Sequence, residues 1–181
     1  MNLKLKIAAA CALAPLAFTI PAAETPQLIS TVSAKAQNVD LATTVARQHQ
    51  LDFIAAPIKS SSDLQAHLAM MPKALSPIEK LSPGAKRRFL AGLVFNENGL
   101  VSYDYSDLAA ELPASDVYRV MSLFGAQRTV PLIKGLRTEG GADKLVTDIP
   151  VSGMEDDHES YQCIGGHNCK YSPGMICMSG C

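Results

Sequence analysis

Four of the chain's five cysteines lie in one stretch, Cys163 to Cys181, read as C-I-G-G-H-N-C-K-Y-S-P-G-M-I-C-M-S-G-C. The chemistry open to Cys163, Cys169, Cys177 and Cys181 depends on their oxidation state. As thiolates they offer zinc a mixed nitrogen and sulfur donor set, drawn from His158, Cys163, His167 and Cys169. As disulfides they staple a segment with too few apolar residues to hold itself in order. No C-x-x-C is present for redox catalysis, and oxidation outside the cytosol competes with thiolate ligation. Disulfides are therefore the first reading, with no metal. Four cysteines allow three pairings, and spacing does not choose among them. If 175–181 forms helical turns, Cys177 and Cys181 face the same way and both reach back to Cys163 and Cys169, making a two-bridge hairpin. Closing loops of about 15 residues contributes roughly 3 kcal/mol per bridge.

The N-terminus decides which compartment applies. Met1 to Lys6 carries two lysines and no acid, Ile7 to Ile20 is apolar but for Pro15 and Thr19, and Pro21-Ala22-Ala23 precedes Glu24. That order is the one a secretory signal peptide follows, so 1–23 is expected to be removed and the mature chain to be secreted or periplasmic. The run is also short for a membrane span of about 20 residues and contains proline. Cys11 falls inside it.

About 158 residues remain, enough for one ordinary domain with appendages. Losing Lys4 and Lys6 from 16 basic residues, against 17 acidic, leaves a net charge of about −3. A charge that small gives no electrostatic footing for nucleic acid. With 6% aromatic residues and no tryptophan, the core must be built from Leu, Val, Ile, Met and Ala.

The elements that would position the cysteines read as helices. Residues 24–38 are a flexible lead-in, small and polar. Asp40 caps a helix reaching about Gln50, and Ser60-Ser61-Ser62 caps a second with Leu64, Leu68 and Met71 on one side, stopped by Pro72. Ser76-Pro77-Ile78-Glu79 has capping-box spacing, and Ser82-Pro83 starts a longer helix to about Phe95. In that helix Phe89, Leu90, Leu93 and Val94 face inward, while Lys86, Arg87 and Arg88 form a solvated face. Asn96-Glu97-Asn98-Gly99 ends it, although the same four residues can turn a hairpin. Ser106-Asp107 caps a short helix, and Ser115-Asp116 starts a regular one through Val117, Val120, Met121 and Phe124, closed by Gly125. Gln127 to Arg137 is irregular. The expected fold is mainly α: a helical domain over 39–137, an acidic linker over 138–160, and a disulfide-stapled tail over 161–181.

No G-x-S-x-G, H-E-x-x-H, phosphate loop or EF-hand pattern occurs. His49 and His67 lie on expected helices and act as bases only if Ser61 or Ser102 comes close. Asp104, Asp107 and Glu111 cluster at a helix start, where acids are favoured without any catalytic role. Tyr103 and Tyr105 are read as packing residues. No cofactor is implied.

The segment from Cys169 to Cys181, C-K-Y-S-P-G-M-I-C-M-S-G-C, resembles a cysteine segment of halocin-type bacteriocins. Phe89 to Phe95, F-L-A-G-L-V-F, is similar to a stretch in sporulation-delaying toxin precursors. The resemblance covers about 20 residues and implies an exported precursor whose active peptide lies toward the C-terminus. The expectation is a non-enzymatic bacterial precursor. Its helical region escorts a bacteriocin-like, antimicrobial or binding C-terminal peptide, and its partners are the export machinery, signal peptidase and a protein or membrane target. The alternative is an uncut periplasmic or secreted binding protein with a disulfide-stabilised tail.

Overall fold

The computed structural model describes residues 43–149 and 157–181. The expected signal segment and lead-in lie outside them. Helix α1 runs over 43–55, past Gln50. α2 is Ser61–Met70, with the Ser60 hydroxyl accepting the Asp63 N–H at 3.1 Å. Two 3-10 turns follow, Lys73–Leu75 and Pro77–Lys80. Proline opens the second, but the Ser76 side chain makes no capping bond. α3 is Pro83–Ala91, capped by Ser82 and burying Ala85 and Phe89. α4 is Ser106–Glu111, α5 is Ala114–Ser122, and Gln127–Leu132 is a 3-10 helix with Pro131 inside it. α6, Gly141–Thr147, forms within the stretch read as linker.

The fold is not mainly α. Among the described residues 51% are helical and 22% lie in a four-stranded antiparallel sheet, so the architecture is mixed. The strands are β1 (Val94–Asn96), β2 (Gly99–Asp104), β3 (His158–Gly165) and β4 (Asn168–Cys177), ordered β1-β2-β4-β3. Two local choices overturn the helical expectation. Gly92 closes α3 early, leaving Val94 and Phe95 to pair as a strand, where branched and aromatic side chains fit a pleated surface. The alternative hairpin at Asn96–Gly99 is the one that forms: the Asn96 side chain accepts the Asn98 N–H at 2.7 Å, and Gly99 takes φ +97. A Cβ on Gly99 would stand 2.9 Å from the Phe53 ring.

The second choice is in the tail, which is extended rather than helical. Gly166 and His167, between the paired Gly165 and Asn168, have φ 62 and φ 60, as a tight two-residue hairpin turn requires. β4 then runs between β3 and β2, with Ser102 opposite Cys177 and Tyr103 opposite Ile176. At Gly174 the strand touches α4: its carbonyl takes the Tyr105 N–H at 2.8 Å, and a Cβ there would collide with the Ser106 hydroxyl.

Helices cover one face of the sheet. Phe89, Tyr103, Leu108, Val117, Val120, Met121, Val130 and Ile176 are fully buried in that core, and Phe89 meets Phe124 edge-on at 6.1 Å. Each such side chain contributes about 1.5–3 kcal/mol by leaving water. The cysteine hairpin supplies a second, smaller core: Val101, Cys163, Cys177 and Cys181, with Val94 and Cys169 against them. Sulfur takes the place of a second hydrophobic layer.

Candidate functional site

The four tail cysteines form two bridges, Cys163–Cys181 and Cys169–Cys177, with Cα separations of 5.6 and 6.1 Å. One is nested inside the other. Cys163 and Cys169 are direct partners across β3 and β4, yet each bonds elsewhere. Ser102 ties the hairpin to the sheet, donating to the Ile176 carbonyl at 2.6 Å and accepting the Cys163 N–H at 3.3 Å. The bridge from Cys163 to Cys181 brings the chain after β4 back over the hairpin tip. There the Cys181 N–H reaches the Met178 carbonyl at 2.9 Å, and the His167 N–H reaches the Cys181 carbonyl at 3.2 Å.

That returning loop makes one wall of a cleft of about 320 Å³, at the small end of the range for organic ligands. Met178, Ser179 and Gly180 form this wall, and His49, Gln50 and Phe53 of α1 form the opposite one. Leu100, Phe124, Gly125 and Arg128 line the rest, with Glu97 and Asn98. Gly125 sets α1 in place: at φ 68, its missing Cβ would stand 3.0 Å from the Asp52 carbonyl oxygen. Asn96 and Asn98 both donate to the Gly180 carbonyl, at 2.9 and 3.1 Å. Arg128 donates to Asp157 through Nε at 2.9 Å and to the Ser179 hydroxyl at 3.2 Å. Asp157 also accepts the Ser179 N–H at 2.7 Å. Burial, followed by the Arg128 charge, holds the His49 imidazole below its ordinary pKa, which favours a neutral ring in the cleft at neutral pH.

A second recess, about 280 Å³, opens on the other side of the same loop and is lined by His158, His167, Cys169, Met178, Ser179 and Cys181. The donor set considered from the sequence is thus partly gathered, with its cysteines committed to disulfides. Among the described residues the only cluster of three potential metal-binding His, Cys, Asp or Glu side chains is Cys163, Cys177 and Cys181, all of them bridged.

The remaining candidates are dispersed. The Ser102 hydroxyl is spent on the Ile176 carbonyl, and Ser61 is exposed at the start of α2. His67 Nε2 is buried with no hydrogen-bond partner among the described residues. Asp107 pairs with Arg88, Asp104 accepts the Ser106 N–H at 2.8 Å, and Glu111 accepts the backbone and hydroxyl of Ser82, both at 2.7 Å. Those bonds lower the Glu111 pKa. Lys86 pairs with Glu79 at 2.7 Å, and Arg87 is exposed. Tyr103 is fully buried and bonded to Thr129 at 2.6 Å, and burial raises its pKa. Tyr105 donates to Glu159 at 2.6 Å; burial first, then that bond, pushes its pKa up to about 12.

Sequence reasoning missed Arg128, Asp157 and the paired asparagines. A signal existed for the first: an arginine just ahead of the apolar run Val130 to Ile133 needs a partner when its helix is buried. No protein-family model, curated protein or solved structure matches the chain. The two bridges suit an oxidising compartment, and among the described residues no helix is long and apolar enough to cross a membrane.

Proposed function

We propose that the protein is exported to the periplasm or the medium, works uncut, and binds a small ligand in the cleft between α1 and the C-terminal loop. The observation carrying this reading is that the tail is part of the binding body: Ile176 and Met178 belong to the main core, and Met178 to Gly180 wall the cleft. The cleft's chemistry suits a small amphipathic molecule. Its apolar part would rest on Phe53, Leu100, Phe124 and Met178, and its polar part would meet His49, Asn98 and the edge of Arg128. The rival reading, a bacteriocin-like peptide released from a helical escort, requires the tail to leave that core. Its release would expose Ile176 and break the pairing of β4 with β2.

Intact-mass spectrometry of the protein recovered from periplasm and medium tests this. The expected result is a single species starting near Ala23 or Glu24 and four hydrogens lighter than the reduced chain. A separate peptide ending at Cys181 would overturn the uncut reading in favour of the precursor.

A further inference from the structure

We propose that the C-terminal loop carries a copper site made by the imidazoles of His158 and His167 and the thioether of Met178. All three line the second recess, and the backbone explains why they converge. His158 is the register partner of Cys177, which puts it beside Met178. The chain then turns through Met178 to Cys181, closed by the Cys181 N–H on the Met178 carbonyl at 2.9 Å, and the Cys181 carbonyl in turn takes the His167 N–H at 3.2 Å. The two histidines therefore stand at the two ends of one four-residue turn, with Met178 at the His158 end. Imidazole nitrogens sit about 2 Å from a bound ion, so side-chain rotation across such a turn can close both rings on one metal.

Three further observations point to a ligand. First, His167 has φ 60, the left-handed conformation that tight hairpin turns ordinarily give to glycine or asparagine. A histidine there brings its ring to the recess. Second, both histidines are exposed, and neither imidazole hydrogen-bonds another described residue; His158 makes only an edge contact with the Tyr161 ring at 5.9 Å. Third, the frame is covalently fixed, because Cys163–Cys181 holds one end of the turn and Cys169–Cys177 the other.

The donor types select the metal. The thiolates that structural zinc sites use are consumed as disulfides, and no carboxylate side chain lines the recess to suit a hard cation. Copper heads the divalent series at nitrogen donors, and a thioether adds preference for its reduced form. The site shares Met178 and Ser179 with the ligand cleft but needs no ligand in that cleft.

The test uses the full mature chain with both bridges intact, confirmed by mass, titrated with copper(II) alone and, separately, with zinc(II). The expected outcome is one copper per chain, bound with a dissociation constant of about 1 µM or tighter and a two-nitrogen pattern in the electron paramagnetic resonance spectrum. His158→Ala and His167→Asn each weaken binding about tenfold or more, and the double variant abolishes it. Asparagine suits the turn conformation, so a loss in His167→Asn reports the imidazole rather than misfolding. Met178→Leu keeps the two-nitrogen copper(II) signal and weakens copper(I), measured by competition with a chromogenic chelator, about tenfold. His49→Ala and His67→Ala leave copper binding unchanged. Absence of saturable binding, binding that survives the double variant, an equal loss in the His49 or His67 variants, or zinc bound as tightly as copper would each overturn the proposal.

Discussion

Arg128 and Asp157 meet at 2.9 Å across the seam between the helical layer and the cysteine hairpin, with side-chain exposures of 14% and 1%. The carboxylate also accepts the Ser179 N–H. Removing one partner of a pair so deeply buried leaves an uncompensated charge, at a cost of about 3–5 kcal/mol. Asp157→Ala should therefore lower the unfolding free energy measured in urea by that amount, and adding Arg128→Met should recover part of the loss. A single variant within 1 kcal/mol of the parent would mean the seam does not depend on the pair.

The hairpin joins the main core through one end. Ile176 is fully buried in the main core, whereas Tyr171 is 65% exposed. Ile176→Ala should destabilise the oxidised protein by about 2–5 kcal/mol, and Tyr171→Ala by about 0.5 kcal/mol or less. Equal effects in chemical denaturation would contradict the anchoring.

The bridges should open in a fixed order. Cys169 is the most accessible of the four sulfur-bearing residues, so an attacking thiolate reaches the inner bridge first. The freed Cys177 sulfur then lies within 4.8 Å of the Cys163 and Cys181 sulfurs. Timed alkylation under mild dithiol should show Cys169 and Cys177 labelled before Cys163 and Cys181, together with a minor rearranged species pairing Cys177 to Cys163 or Cys181. First labelling at Cys163 or Cys181 would reverse the order.

Acid should weaken the dock of α6. Hydrogen bonding by Ser115, then the Glu139 and Gly140 N–H groups, brings the Asp143 pKa down to about 2. A carboxylate whose folded pKa lies below its unfolded value of about 3.9 adds stability above that unfolded value, and the contribution is lost as pH falls from about 4 toward 2. The melting temperature should therefore fall less between pH 5 and pH 2 in Asp143→Asn than in the parent. Parallel curves would remove Asp143 as the cause.

What was legible in the sequence was local. Ser60, Ser82 and Gly125 cap helices as their types and positions indicate, and the face of Val117, Val120 and Met121 is the buried one. What was not legible depended on partners distant in the chain. Val94 and Phe95 continue a helical spacing, and only β2 shows them to be a strand. The tail lacks the alternation of a half-buried strand because its buried strand positions are Cys163 alone and the consecutive run Met175 to Cys177. Asp157 reads as one more acid in an acidic run, and its role exists only once Arg128 lies beside it.

The nested pairing also bears on the order in which the chain is made. When the chain is exported N-terminus first, Cys163 and Cys169 enter the oxidising compartment before Cys177 and Cys181, and the hairpin register sets those first two side by side. An oxidant acting during emergence finds the wrong pair first. Maturation of this protein is therefore expected to need a disulfide isomerase as well as an oxidase, and its yield to track how long oxidation is delayed after synthesis.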